Sequence, residues 1–184
     1  MITIISLSIA GLIVIYLIVA FNSLVKLKNM TEEGWSGIDV QLKKRYNLIP
    51  NLVSTVKGYA THEKEVFENV AAMRSTGISA QTVKEQAKAE NMITQALGKL
   101  FAVAENYPDL KASDNFADLQ NQLAKIESDI ELARRYYNGT VRENNIKVES
   151  FPSNIVASMF NFKKFDFFEL DDAAARTTPK VDFS

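Results

Sequence analysis

The chain opens with a long apolar segment. No Asp, Glu, Lys, Arg or His occurs before Lys26, and the stretch from Ile2 to Phe21 contains thirteen Ile, Leu, Val or Phe residues. Twenty helical residues extend about 30 Å, which is the thickness of the hydrocarbon core of a bilayer. Insertion of thirteen such residues is favourable by roughly 4 to 8 kcal/mol. The pattern therefore predicts a transmembrane helix over residues 1–25, with the bilayer contacted by residues 2–25.

A buried core helix and a cleaved signal peptide are the alternatives for this segment. A signal peptide has a basic region before an apolar run of about 7–15 residues. This chain has no Lys or Arg before its apolar run, and the run is longer. The residues around Ala20 also form a poor small-residue cleavage site. We therefore interpret the segment as a membrane anchor.

Two lysines that follow the segment predict its orientation. Lys26 and Lys28 come directly after it, and no acidic residue precedes Glu32. Basic residues flanking a membrane helix favour the cytoplasmic side. We therefore expect an N-terminus outside the membrane and a cytoplasmic domain.

Apolar residues then recur at helical spacing, which predicts a first soluble helix over about residues 29–75. Pro50 lies inside this run. Because proline removes a backbone donor and crowds the preceding turn, we expect a kink or short break near Leu48–Pro50. Gly77 follows as a predicted helix C-cap.

The remaining pattern predicts three further helices, over about residues 80–107, 113–149 and 153–159. The helix over 113–149 has the most regular apolar seam, with spacings of three and four residues, formed by Phe116, Leu119, Leu123, Ile126, Ile130, Ala133, Tyr137 and Val141. Such a seam is typical of a helix bundle or coiled coil. We therefore predict an all-α protein with an elongated antiparallel bundle of long helices over residues 26–159.

The C-terminal tail, residues 160–184, differs in composition. Five phenylalanines lie between Phe160 and Phe168, acidic residues follow, and the chain from Arg176 is expected to be extended. The phenylalanines either pack back onto the end of the bundle or form an exposed docking strip for a partner or lipid.

Composition excludes several kinds of chemistry. The chain has no cysteine, one histidine (His62) and a formal net charge of −1 from 21 basic and 22 acidic side chains. These counts exclude thiolate sites and two-histidine carboxylate metal sites, and the balanced charge does not favour nucleic acid. No phosphate-binding loop or nucleophile elbow occurs. We therefore predict no catalytic residue, metal, cofactor or small-molecule substrate.

Two polar clusters remain as candidate sites. The first cluster is Lys43-Lys44-Arg45-Tyr46-Asn47, and the second cluster is Arg134-Arg135-Tyr136-Tyr137-Asn138. Each is either a solvated face with ion pairs inside the bundle, for instance to Asp39 or Glu131, or a contact for anionic lipid or an acidic partner. Glu127 and Glu131 are interpreted as part of a solvated helix face.

At these clusters the sequence resembles the LemA family of bacterial membrane proteins. The first matching block runs from Arg45 through Pro50 and Asn51 to Val53, and continues through Lys57 to Ala60. The second is Ala133-Arg134-Arg135-Tyr136-Tyr137-Asn138-Gly139-Thr140-Val141, and a shorter one is Ser150-Phe151-Pro152-Ser153-Asn154-Ile155. The chain departs from the family at Glu143-Asn144-Asn145, where a Tyr-Asn pair is common.

The resemblance implies a single-pass protein of the bacterial inner membrane with a cytoplasmic helical domain. It implies no established reaction, and a branch of similar proteins takes part in building magnetosome membranes. Our first hypothesis is a non-enzymatic scaffold that binds a protein partner or a second copy of itself. The alternatives are an anionic-lipid-binding membrane organiser and an uncharacterised hydrolase-like or protease-accessory protein.

Overall fold

The computed structural model of the protein describes residues 1–169. These residues form helices and no strand, which confirms the all-α prediction. The helices are, in chain order, α1 (Ile2–Lys57), α2 (Lys64–Ser79), α3 (Val83–Ala104), α4 (Pro108–Lys111), α5 (Asp114–Glu149) and α6 (Ser153–Met159).

The apolar segment forms the beginning of α1. Its most apolar window has a mean hydropathy of 2.8, and 6% of that window is buried inside the protein. The hydroxyls of Ser6 and Ser8 donate to the carbonyls of Thr3 and Ile4, at 2.9 and 3.0 Å, so these polar groups are satisfied within the helix. By length and composition α1 is able to cross a membrane, and it suggests a membrane anchor.

The chain divides into two compact units. The first unit comprises Met1–Val40 and Ile130–Phe167. The second unit comprises Gln41–Asp129 together with the described residues 168–169.

In the first unit, α6 packs against α1 where the apolar segment ends. Ala20 and Leu24 of α1 form a buried cluster with Val156 and Ala157 of α6. The end of α6 is a Schellman motif, in which the Phe162 N–H donates to the Ala157 carbonyl at 2.9 Å. Asn161 supplies the left-handed residue of this motif with φ of 57°, a conformation that asparagine tolerates better than most residues. The chain therefore turns back along α1.

In the second unit, the start of α3 is fixed by a capping box. The Glu85 N–H donates to the Thr82 hydroxyl at 3.2 Å, and the Glu85 carboxylate accepts from the Gln81 and Thr82 N–H groups. These backbone hydrogen bonds, that from Gln81 first, lower the pKa of Glu85. The cap fixes the register in which α3 presents its buried face.

Pro50 does not end α1, in contrast to the short break expected from the sequence. Pro50 has no N–H to donate, so the carbonyl of Tyr46, one turn earlier, loses its helical partner. Arg74 Nε of α2 donates to that carbonyl at 2.7 Å. A side chain from another helix thus satisfies the group that proline leaves open.

Two other boundaries differ from the pattern-based expectation. The first helix ends at Lys57 rather than near residue 75, where Gly58 interrupts it, and α2 begins at Lys64. Glycine is a poor helix former, so a turn at this position is favoured. Gly77, expected as a C-cap, lies inside α2 and is buried. The expectation of an extended chain from Arg176 lies outside the described residues.

Candidate functional site

Arg45 of the first cluster lies on the buried face of α1. The buried residues of this face alternate at spacings of four and three, and they are Ile38, Leu42, Arg45, Ile49, Leu52 and Val56. Arg45 therefore occupies a position that the pattern assigns to an apolar side chain, and it is only 2% exposed. A buried guanidinium requires charged and hydrogen-bonding partners.

Those partners come from α3 and α5. Arg45 Nη1 lies 2.8 Å from Glu90 Oε2, and both side chains are buried. Arg45 Nη2 lies 2.9 Å from Glu127 Oε1 and donates to Thr94 Oγ1 at 2.9 Å. One guanidinium thereby connects three helices of the second unit, using the fork geometry that lysine lacks.

Tyr46 and Gln86 complete the hydrogen bonding of Glu90. The Tyr46 hydroxyl donates to Glu90 Oε1, while Gln86 Nε2 donates to the same oxygen at 2.9 Å and to the Tyr46 hydroxyl at 2.6 Å. Burial, followed by the hydrogen bond to Glu90, raises the pKa of Tyr46 well above its usual range. The phenol therefore stays protonated and remains a donor. We call Arg45, Tyr46, Gln86, Glu90, Thr94 and Glu127 the buried polar network.

Glu127 is the network's link to solvent. Its side chain is 40% exposed, in contrast to the 2% of Arg45. Burial raises the pKa of Glu127, and the charge of Arg45 opposes that rise. The network pairs one cation with two carboxylates, and its donors and acceptors are largely used by one another. This arrangement fits a cross-link between helices better than a site open to a substrate.

Sequence reasoning missed Gln86, Glu90 and Thr94. A signal for the first two was present, because Gln86 and Glu90 begin the buried seam of α3 that continues through Ile93, Leu97, Leu100 and Ala104. An acid at a seam position predicts a buried cation opposite. Glu127, interpreted as part of a solvated face, is 40% exposed, but it also pairs with the buried Arg45, which that interpretation missed.

The second cluster lies in the first unit and is divided between solvent and core. Arg135 is exposed and lies 3.8 Å from Glu131, one turn earlier on α5. Tyr136 is 47% exposed and contacts Gly34, whose added Cβ would lie 3.2 Å from a Tyr136 ring carbon. These side chains are available at the surface of α5.

Tyr137 is the buried member of the second cluster. Its ring lies 5.5 Å from the ring of Trp35, and its hydroxyl donates to the carbonyl of Asp166 at 2.8 Å. Burial, with the nearby charge of Asp166, raises the pKa of Tyr137 to about 12. Tyr137 thus ties the C-terminal segment to α5.

The other predicted site residues lie on or near the surface. Those on α1 are exposed and comprise Lys26, Lys28, Asn47, Pro50, Asn51 and Lys57, while Arg134 and Asn138 on α5 are half-buried. Lys28 lies 3.7 Å from Glu32 in an exposed pair. The structure gathers none of these eight into the buried polar network.

At Glu143-Asn144-Asn145, where the sequence departs from the LemA pattern, two asparagine side chains form hydrogen bonds to the C-terminal segment. Asn145 Nδ2 donates to the Phe165 carbonyl and Asn145 Oδ1 accepts from the Phe165 N–H, each at 2.9 Å. Asn144 Nδ2 donates to the Lys163 carbonyl at 3.3 Å. The two amides therefore hold residues 163–165 against α5. The phenylalanines divide accordingly, with Phe168 buried and Phe160 and Phe167 exposed.

Known proteins are similar to this chain in sequence. The LemA family model matches residues 34–183. The chain is 25% identical to magnetosome protein MamQ 2 of Paramagnetospirillum magneticum, over 90% of this chain and 70% of that protein. It is 22% identical to magnetosome protein MamQ of Magnetospirillum gryphiswaldense, with the same coverage. It is 24% identical to protein LemA of Metamycoplasma hominis, over 82% of this chain and 69% of that protein.

Proposed function

Since the chain belongs to the LemA family, we propose that it is a non-enzymatic scaffold of the bacterial inner membrane that acts by docking a second copy of itself. The names of its relatives, magnetosome protein MamQ and protein LemA, are not names of enzymes. The apolar segment of α1, which by length and composition is able to cross a membrane, supports a single-pass anchor.

The observation that carries the docking proposal is a second apolar stripe on α5. Leu132, Tyr136 and Ile146 are 54%, 47% and 51% exposed. At about 100° per residue they lie within an arc of about 80°, and the stripe extends about 21 Å along the helix. We call these three residues the exposed stripe. Single exposed apolar residues are common on monomers, but these three share one helix face. Their register is that of a helix-pair seam whose two intermediate positions are Gly139 and Glu143.

One charge inside the arc of the exposed stripe, that of Glu143, and one beside it, that of Arg142, suit a symmetric contact. Arg142 and Glu143 are exposed on α5, and their side chains lie 3.8 Å apart. In a two-fold antiparallel pair, each copy presents the same surface to the other, so positive and negative groups meet across the axis. A second copy of this chain is therefore the partner we propose.

The buried polar network supports a non-enzymatic role. Three of its titratable side chains, those of Arg45, Tyr46 and Glu90, are buried. Their hydrogen bonds are made to one another, which supports a structural role for Arg45 and Tyr46 of the first cluster. Arg45 is accordingly unavailable to anionic lipid.

The decisive experiment compares self-association of the full-length chain and two variants in detergent micelles by sedimentation. Leu132→Lys with Ile146→Lys places charges on the exposed stripe and should weaken association by about tenfold or more, since charges are poorly tolerated in an apolar contact. Tyr59→Lys with Ile78→Lys adds the same charge at exposed positions of the second unit and should have no effect. A monomeric wild-type chain, or unchanged association of the stripe variant, contradicts the proposal.

We also propose that the N-terminus faces outward and the helical domain lies in the cytoplasm. Lys26 and Lys28, both exposed after the apolar segment, support this orientation. The chain has no cysteine, so an Asn51→Cys variant carries one label site. That thiol should react with an impermeant maleimide only after the inner membrane is opened. Labelling in intact spheroplasts would show that the helical domain lies outside and would contradict the proposed orientation.

A further inference from the structure

The end of the apolar segment is surrounded by apolar side chains that the protein does not cover. α6 packs on Ala20 and Leu24 of α1, so it lies at the level where the apolar segment ends. Large side chains in and beside α6 nevertheless remain exposed, with fractions of 80% for Phe151, 51% for Ile155, 65% for Met159 and 55% for Phe160. A soluble surface rarely clusters such residues, whereas a surface that touches a bilayer does.

A groove opens beside this surface, between α1 and residues 160–165. Its volume is about 590 Å³. The ring of Phe21 lies 4.7 Å from that of Phe160 and 5.7 Å from that of Phe162, both in edge-on contact. These rings form an apolar end of the groove, which the Schellman turn at Asn161 creates by reversing the chain.

The groove is also lined by positively charged side chains. Lys28, Lys163 and Lys164 line it together with Glu32. When Glu149, which pairs with Lys164, is counted as well, the three lysines exceed the two carboxylates by one charge. Lys28 and Lys164 pair with Glu32 and Glu149 at 3.7 and 2.6 Å, but these side chains are at least half exposed. Exposed pairs of this kind are weak, so the ammonium groups remain available to another anion.

The apolar and charged residues of the groove also lie at the depths in a bilayer where a phospholipid has its acyl chains and its phosphate. Phe21 and Lys28 are seven residues apart on α1, a rise of about 10 Å. If the twenty residues up to Phe21 fill a hydrocarbon core of about 30 Å, Phe21 lies at its edge and the Lys28 ammonium reaches the headgroup layer. The apolar and charged residues thus match the order of acyl chain and phosphate in a phospholipid.

We propose that this groove binds one anionic phospholipid from the leaflet on the side of the helical domain. Its acyl chains contact Phe21, Phe160 and Phe162, and its phosphate lies among Lys28, Lys163 and Lys164. The neighbouring side chains of Ile155 and Met159, one helical turn apart on α6, enter the same leaflet. This assignment rests on the proposed insertion of α1, and it adds a specific lipid contact to that anchor.

The test uses the full-length chain in nanodiscs that contain phosphatidylcholine and phosphatidylglycerol. Spin-labelled forms of each lipid report the fraction held at the protein surface. The triple variant Lys28→Gln, Lys163→Gln, Lys164→Gln should lower the preference for phosphatidylglycerol by about fivefold or more. The control Lys57→Gln, Lys88→Gln, Lys99→Gln removes the same charge at exposed positions of the second unit and should keep the wild-type preference.

A second measurement, tryptophan quenching, tests whether the acyl chains lie beside Phe160. Phe160→Trp in a Trp35→Phe background carries a single tryptophan, whose emission should be quenched by phosphatidylglycerol brominated near the top of its acyl chains. Absence of quenching, an unchanged preference in the groove variant, or an equal loss in the control overturns the proposal. Competition by soluble glycerol 3-phosphate also overturns it, because the site would then take a free phosphate. Extraction of the wild-type chain by alkaline carbonate would instead contradict the proposed anchor itself.

Discussion

Each polar cluster contains an Arg-Tyr pair, and the two pairs have opposite environments. Arg45 and Tyr46 are buried in the second unit and bonded to Glu90. Arg135 and Tyr136 are exposed in the first unit. The difference lies in register, because the seam of α1 passes through Arg45 whereas the seam of α5 passes through Tyr137. Position relative to the apolar seam decides whether an Arg-Tyr pair is structural or available at the surface.

The consequence is a different physical task for each arginine. Arg45 joins α1, α3 and α5 by direct contacts of 2.8 to 2.9 Å. Arg135 pairs with Glu131 on its own helix, at 3.8 Å. The first interaction links segments far apart in the chain, while the second is a local surface pair. Substitutions of the buried ion pair, of the glycines that face the clusters and of Arg135 test this distinction.

The largest effect should follow from removing the buried carboxylate. Glu90→Leu leaves Arg45 with only the partly exposed Glu127, and breaking a buried ion pair in this way destabilises by about 3–5 kcal/mol. The free energy of unfolding is measured by urea titration of the protein in detergent micelles, followed by circular dichroism. Glu131→Leu, which removes the corresponding partner of Arg135, is the matched control.

The double variant Arg45→Met with Glu90→Leu sharpens this test. Apolar side chains of similar volume often replace a buried ion pair with little loss of stability. We therefore expect the double variant to recover most of the stability that Glu90→Leu loses. If Glu90→Leu were no more destabilising than Glu131→Leu, the contrast between the clusters would be refuted.

The glycines that face the two clusters should differ in their tolerance of a methyl group. A Cβ at Gly77 would lie 2.6 Å from the Tyr46 hydroxyl and 2.9 Å from Ile93 Cδ1. At Gly34 the nearest atoms, in Tyr136 and Tyr137, would be 3.2 Å away. Gly77→Ala should therefore destabilise by about 1–3 kcal/mol through overpacking, and Gly34→Ala by less.

Gly98→Ala and Gly37→Ala serve as controls for these variants. Both glycines are in helices, and a Cβ at either would meet nothing within 4 Å. Alanine favours a helix over glycine by about 1 kcal/mol, so both controls should be stabilised in the same urea titration. Equal tolerance at Gly77 and Gly98 would show that the packing around Tyr46 is loose.

The sequence predicted the helical class and the apolar segment because both depend on local periodicity. It predicted a helix through Pro50 with a kink or short break there, but not the group that supports an unbroken helix, since the donor to the Tyr46 carbonyl is Arg74 of another helix. The prediction gave both clusters the same two interpretations, because composition does not show which residue of a cluster faces the apolar seam. The alternation through Leu42, Arg45 and Ile49 carried that information, and so did Glu90 in the seam of α3.

The smallest effect should come from Arg135. Arg135→Ala removes an exposed pair with a separation of 3.8 Å, and such helix pairs contribute about 0.5 kcal/mol or less. The same urea titration should therefore show a change within about 0.5 kcal/mol, and added salt should reduce it further. A loss above about 1 kcal/mol would assign Arg135 a structural role like that of Arg45. With stability unchanged, a loss of self-association in Arg135→Ala would instead arise at the surface beside the exposed stripe, where Arg135 is exposed.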